Sequence, residues 1–124
     1  SEDIYDTIRQ TDDFNAKHSA YVFCDALEVR ANTESKIENT VDALPEYIKA
    51  YFELPVNERL GDLVATCAFL GQSAKIRTGG VTTDAFPKPQ ELIRFMRTCL
   101  AANVPFKCTA GLHHPLRCFR PLTY

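Results

Sequence analysis

The strongest constraint on what this chain can fold into is a spacing. Four β-prone segments begin near residues 20, 47, 74 and 104, roughly 27 to 30 residues apart, and a stretch with helical periodicity separates each from the next. That interval suits one strand, one helix and two short connections, the crossover that neighbouring parallel strands require.

Ile4 and Ile8, with Tyr5 between them, predict a short lead-in helix over Glu2 to Gln10, followed by a polar loop through Asn15 and Lys17. Tyr21 to Val29 is rich in β-formers and nearly continuous in apolar character, which predicts a strand covered on both faces with Glu28 at its polar end. Asn32 and Thr33 can cap a helix carrying Ile37, Val41 and Leu44, and Pro45 ends it. In Tyr47 to Leu54, alternation sets Ala50, Phe52 and Leu54 against Lys49, Tyr51 and Glu53. Asn57 can cap the next helix, with Leu60, Leu63, Val64, Cys67 and Leu70 on its buried stripe and Gly71 as its stop. The third strand runs from Ala74 to Thr78. Pro89 suits the first helical position of a segment whose stripe is Leu92, Phe95, Met96, Cys99 and Leu100, closed by Asn103. Val104 to Ala110 is the fourth strand.

The expected fold class is therefore α/β: four βα units with a parallel sheet, half of a TIM-like (β/α)8 barrel, with an open three-layer parallel sheet as the alternative. A complete barrel needs about 250 residues, and the chain has 124. It is expected to be a single α/β domain over 1–124, a fragment or half of a larger barrel. Its partner would be a second copy, through exposed strand edges, or the missing half of a longer chain.

Charge within the strands points to a site. Lys75 and Arg77 share one face of the third strand with Ile76 on the other, and Lys107 and Thr109 repeat the device in the fourth, opposite Phe106 and Cys108. Glu28 and Glu53 bring carboxylates to the ends of the first two strands. Such charges must pair with one another, meet water or meet a ligand. Gly79 and Gly80 follow the third strand and Gly111 the fourth, so backbone N–H groups could approach a phosphate or carboxylate there. The expected ligand is a small anionic metabolite bound by Glu28, Lys75, Arg77, Thr78, Gly79, Gly80, Thr109 and Gly111. Lys107, Glu53, His113 and His114 are the candidate catalytic groups, the histidines lying in the loop after the fourth strand. The competing expectation is an internal salt-bridge ring of Glu28 and Glu53 against Lys75, Arg77 and Lys107, without turnover. Adjacent histidines point in different directions, so no metal is assigned, and no other cofactor is implied. His18, before the first strand, is read as structural.

Composition narrows the classes of function. Hydrophobic residues make up 45%, charged residues 24%, and the net charge is -2, with none of the clustered Lys/Arg excess that nucleic-acid binding shows. No apolar run approaches the roughly 20 residues that span a bilayer, and the acidic start Ser1-Glu-Asp-Ile-Tyr-Asp is unlike a signal peptide. The five cysteines are odd in number and sit without metal or redox spacing, which fits buried thiols in a cytoplasmic protein.

The runs Ala74-Lys-Ile-Arg-Thr-Gly-Gly80, Ala85-Phe-Pro, Glu91-Leu, Phe95 and Val104-Pro-Phe-Lys-Cys-Thr-Ala-Gly-Leu-His-His-Pro115 resemble a family of uncharacterised bacterial proteins about twice this length. The similarity extends back through Ala26-Leu-Glu-Val29 and Phe52-Glu-Leu-Pro55. It implies a half-length piece and the same set of site residues, but no activity. Lys107-Cys-Thr-Ala-Gly111 is also similar to the Lys-Thr-Ser-Thr-Gly strand of deoxyribose-phosphate aldolases, and Lys75-Ile-Arg-Thr-Gly-Gly80 to their Lys-Ala-Ser-Gly-Gly strand. The two strands stand in reverse order here, and Arg77 and Cys108 replace small polar residues. That resemblance implies a Schiff-base lyase in which Lys107 forms the imine and Lys75 lowers its pKa by like-charge proximity.

Overall fold

The computed structural model describes residues 3–111 together with residues 116, 118 and 119. Helices and strands alternate along it: α1 (Ile4–His18), β1 (Ala26–Arg30), α2 (Glu34–Ala43), β2 (Lys49–Glu53), α3 (Leu60–Phe69), β3 (Ser73–Arg77), α4 (Pro89–Ala101) and β4 (Phe106–Thr109), with a short 3-10 turn at Thr83–Ala85. The four strands form one all-parallel sheet in the order β1-β2-β3-β4. The chain is an α/β protein built from βα units.

The local signals explain the helix ends. The Thr33 side chain accepts from the Lys36 amide to open α2, Pro89 stands in the first turn of α4, and Gly71 adopts φ +66° just past α3. Asn57 acts one step earlier than a cap on α3, its side chain accepting from the Arg59 amide at 2.9 Å. Asn103 follows α4 at φ 53°.

One core lies between the sheet and its helices. Ile37 of α2, Leu60, Leu63, Val64 and Cys67 of α3, and Phe95 and Cys99 of α4 pack with Ala50, Phe52, Leu54, Ala74 and Ile76 in one buried cluster. Phe106 meets Phe95 edge to face at 5.7 Å. All three crossover helices therefore cover the same face, as sequential right-handed crossovers must. The open three-layer sheet, which needs helices on both faces, is not what these residues form.

The N-terminal region departs from expectation. α1 runs on to His18, through the stretch expected to be a polar loop, because Thr11 and Asn15 are buried. The Asn15 amide group bonds both the N–H and the C=O of Cys24, at 2.7 and 2.9 Å. That clamp keeps Tyr21 to Cys24 out of the sheet, so β1 starts at Ala26 rather than Tyr21, and Tyr21 is 95% exposed. α1 packs beside α2 at the β1 end of the helix layer. His18 stacks against Phe14 at 4.6 Å.

Candidate functional site

The face of the sheet turned away from the crossover helices is charged. Alternation places Glu28, Arg30, Tyr51, Glu53, Lys75, Arg77, Lys107 and Thr109 on it. Register then lines up one row across the sheet: Arg30 lies opposite Glu53, Glu53 opposite Lys75, and Lys75 opposite Lys107. The two lysines would repel each other. Glu28, one row nearer the strand starts, reaches between them, its Oε2 accepting from Lys75 Nζ at 2.6 Å and its Oε1 from Lys107 Nζ at 2.7 Å.

On its other side Lys75 donates to Glu53 Oε2 at 2.9 Å, and Glu53 Oε1 accepts from Arg30 at 3.1 Å. The result is an alternating chain, Arg30–Glu53–Lys75–Glu28–Lys107, in which three cations face two carboxylates and one positive charge is left over. Lys107 also stands 4.1 Å above the centre of the Tyr51 ring, a cation–π contact.

Exposure grades along this chain. The Lys75 side chain is 10% exposed and Glu53 17%, whereas Lys107 and Glu28 are near 40% and Arg30 is mostly in solvent. Lys107 and Lys75 hold the Glu28 carboxyl below its ordinary range. For Glu53, burial works to raise the pKa, but Lys75 and Arg30 outweigh it and the net shift is downward. For Lys75, burial works to lower the pKa, and its two carboxylates outweigh that, leaving it raised. The like-charge activation of Lys107 by Lys75 meets an obstacle here, since the carboxylate standing between the two ammonium groups offsets their repulsion.

Arg77 does not join the ring expected of it. Its Nε donates to the Gly79 carbonyl at 3.0 Å, and among the described residues no carboxylate pairs with it. Its side chain lines a cleft of about 350 Å3 at the C-terminal strand ends, shared with Arg30, Asn32, Glu53 and Asp84. Arg30, which sequence reasoning missed, takes Arg77's expected place. The signal was its spacing of two from Glu28 on the same strand face, hidden by ending the first strand at Val29.

The strand exits explain their own glycines without a ligand. A Cβ on Gly79 would lie 2.5 Å from the Gly111 Cα, one on Gly80 would lie 2.6 Å from the Ala85 Cβ, and one on Gly111 would strike the Thr78 carbonyl. Gly111 also needs φ +74°. The Thr78 hydroxyl, 2% exposed, donates within the protein to carbonyls of Thr109 and Ala110. Thr78, Gly79 and Gly111 therefore weld the ends of β3 and β4 together, while Gly80 lets the 3-10 turn at Ala85 pack close. Thr109 lies on the charged face opposite Arg77. His113 and His114 lie outside the described residues. No group of three or more His, Cys, Asp or Glu among the described residues is placed to hold a metal ion, and no described helix is long and apolar enough to cross a membrane.

Fold and site together define a parallel α/β protein with a charged, cleft-bearing face at its strand ends. No protein-family model, curated protein or solved structure matches the chain.

Proposed function

We propose that this domain binds a small anionic metabolite, a phosphate or a carboxylate, in the cleft at the C-terminal strand ends, with Arg77 and Arg30 as the anion-holding side chains. The observation that carries this reading is Arg77. Its Nε is anchored to the Gly79 carbonyl, its side chain lines a cleft of about 350 Å3, and its two terminal nitrogens, without a hydrogen-bond partner among the described residues, form a bidentate donor pair. Ligands of parallel α/β sheets bind at this end of the strands. Of the paired row, Arg30 and Glu53 line the cleft, together with Asp84 and Glu91, so an anion there would be held by the two guanidinium groups and not by a net positive wall.

A Schiff-base lyase is the catalytic form of the same reading. Lys107 is its nucleophile because it is the more exposed of the two lysines, 37% against 10% for Lys75. An imine requires a neutral amine, so a carbonyl substrate would have to displace Lys107 from Glu28, with the ammonium giving its proton to solvent before Nζ adds to the carbonyl and water leaving as the C=N bond forms. The second reading, a structural ion-pair network without a ligand, rests on each side chain in that row having an ion-pair partner. A cytoplasmic setting suits both, since all five cysteines are free thiols.

Thermal melting in phosphate, sulfate and citrate tests the proposal. The expected result is a rise of several degrees at millimolar anion, lost in Arg77→Ala. No shift in the wild type, or a shift that Arg77→Ala leaves intact, overturns it. Borohydride trapping with small aldehydes and ketones tests the lyase form, which requires a mass adduct that Lys107→Met abolishes.

A further inference from the structure

Among the described residues the sheet has two open edges, and the two edges fit each other. At one end, β4 has β3 as its single partner among the described residues. The carbonyls of Pro105 and Thr109 accept from Ala74 and Thr78 of β3, so the alternation of parallel pairing turns the backbone of Phe106 and Cys108 to the open edge. Beside that edge, the flank of α4 away from α3 is apolar and uncovered, with Ile93 54% and Leu100 64% exposed and Met96 next to them. At the other end, among the described residues, β1 pairs only with β2. A groove of about 720 Å3 runs from Ile4 and Thr7 of α1 past Glu28 and Val29 of β1 and over the charged face to Glu53 and Lys75.

α1 makes these ends complementary. It precedes β1 and lies beside α2, the place in the helix layer that a crossover helix entering β1 from one more parallel strand would occupy. The chain is thus four helix-plus-strand units, α1β1 through α4β4, and eight parallel strands are what a closed barrel of this kind contains.

We propose that two copies of this chain associate about a twofold axis into one closed eight-stranded barrel. β4 of each copy pairs with the open β1 edge of the other, and α1 of each covers the seam and packs on the exposed α4 flank of its partner. An asymmetric use of the same edges would leave one β4 and one β1 open and would polymerise, whereas the twofold arrangement closes. The charged face agrees with closure. Glu28 and Lys107 are about two-fifths exposed on an open sheet, and closure turns that face into an interior where the two copies' charge rows face each other. A pocket half-walled in the single chain becomes enclosed. The partner so defined is a second copy of this chain whatever ligand the cleft holds.

Sedimentation equilibrium of the purified chain tests it. The expected species has twice the 14.0 kDa chain mass at micromolar concentration. Ile93 and Leu100 are exposed, so the double substitution Ile93→Lys with Leu100→Lys should keep the far-UV circular dichroism of the wild type while weakening association by roughly a hundredfold or more. Cys108→Pro, at a backbone N–H that faces the open edge, should weaken it as well. A wild-type monomer at about 100 µM, where even weak specific dimers assemble, overturns the proposal. So does a ladder of larger assemblies, or a dimer that neither variant weakens.

Discussion

Glu28 and Lys107 meet at 2.7 Å although they stand on β1 and β4, the two outermost strands of the sheet. Strands about 4.8 Å apart, with an offset of two residues at about 3.3 Å each, put those positions about 16 Å from each other on a flat sheet, beyond the combined reach of an extended glutamate and lysine. The contact implies that the sheet curls towards its charged face, passing over Tyr51, whose ring the ammonium covers. Curvature in this sense follows from loading every crossover helix onto the opposite face.

The ion-pair row should be graded by burial rather than by distance. Glu53→Gln leaves Lys75, 10% exposed, with one carboxylate instead of two, and should cost about 2–3 kcal/mol in urea denaturation. Glu28→Gln removes two contacts of comparable length but at a position 43% exposed, where solvent screens them, and should cost about 1 kcal/mol. Equal losses would show that burial does not set the scale here.

Stability should fall in acid for the same reason. Glu28 and Glu53 both titrate below their ordinary value of 4.5 when folded. Their contribution is therefore present above that value and is lost as the pH drops through the folded pKa values. Lys75 is raised above 10.5, so its contribution is intact below 10.5 and is lost at still higher pH. Urea midpoints at pH 7 and pH 3 should differ less in the Glu28→Gln, Glu53→Gln double variant than in the wild type.

Two glycines with similar φ should respond very differently to alanine. Gly71, φ +66°, has nothing within 4 Å of a built Cβ, so Gly71→Ala should cost about 1 kcal/mol from the backbone alone. Gly111, φ +74°, adds a clash with the Thr78 carbonyl and a 2.7 Å approach to the Gly79 Cα, and Gly111→Ala should cost about 3 kcal/mol or more. Thermal or urea unfolding of the two variants measures the gap.

Thiol reactivity should divide by depth. Burial pushes the Cys67 thiol up to about 12 and the Cys99 thiol up to about 11, and both side chains are fully enclosed. Cys118 is exposed. Mass spectrometry after brief labelling of the native protein should find Cys118 modified first, with Cys67 and Cys99 modified only in denaturant.

Much of this was legible in the chain. Period-two alternation is a property of one strand, so it put Lys75 and Arg77 on one face, Glu53 with Tyr51, and Lys107 opposite Cys108, whatever packs around them. Capping and stop residues such as Thr33, Pro89 and Gly71 marked the helices for the same local reason. The α/β class and the parallel sheet followed from the spacing of the strands.

Three things needed the tertiary structure. Arg30 rather than Arg77 completes the ion-pair row, because inter-strand register sets Arg30 opposite Glu53 while the Arg77 side chain bends to its own strand's exit. The glycines at 79 and 111 serve a weld between two strand ends 32 residues apart (111 minus 79), a contact that no local pattern encodes. The reach of Glu28 to both lysines depends on how far the whole sheet curls. Sequence determines which face a strand residue occupies, since that depends only on its neighbours along the chain. Which charges then meet is decided by register and curvature, which come from the packing of distant helices.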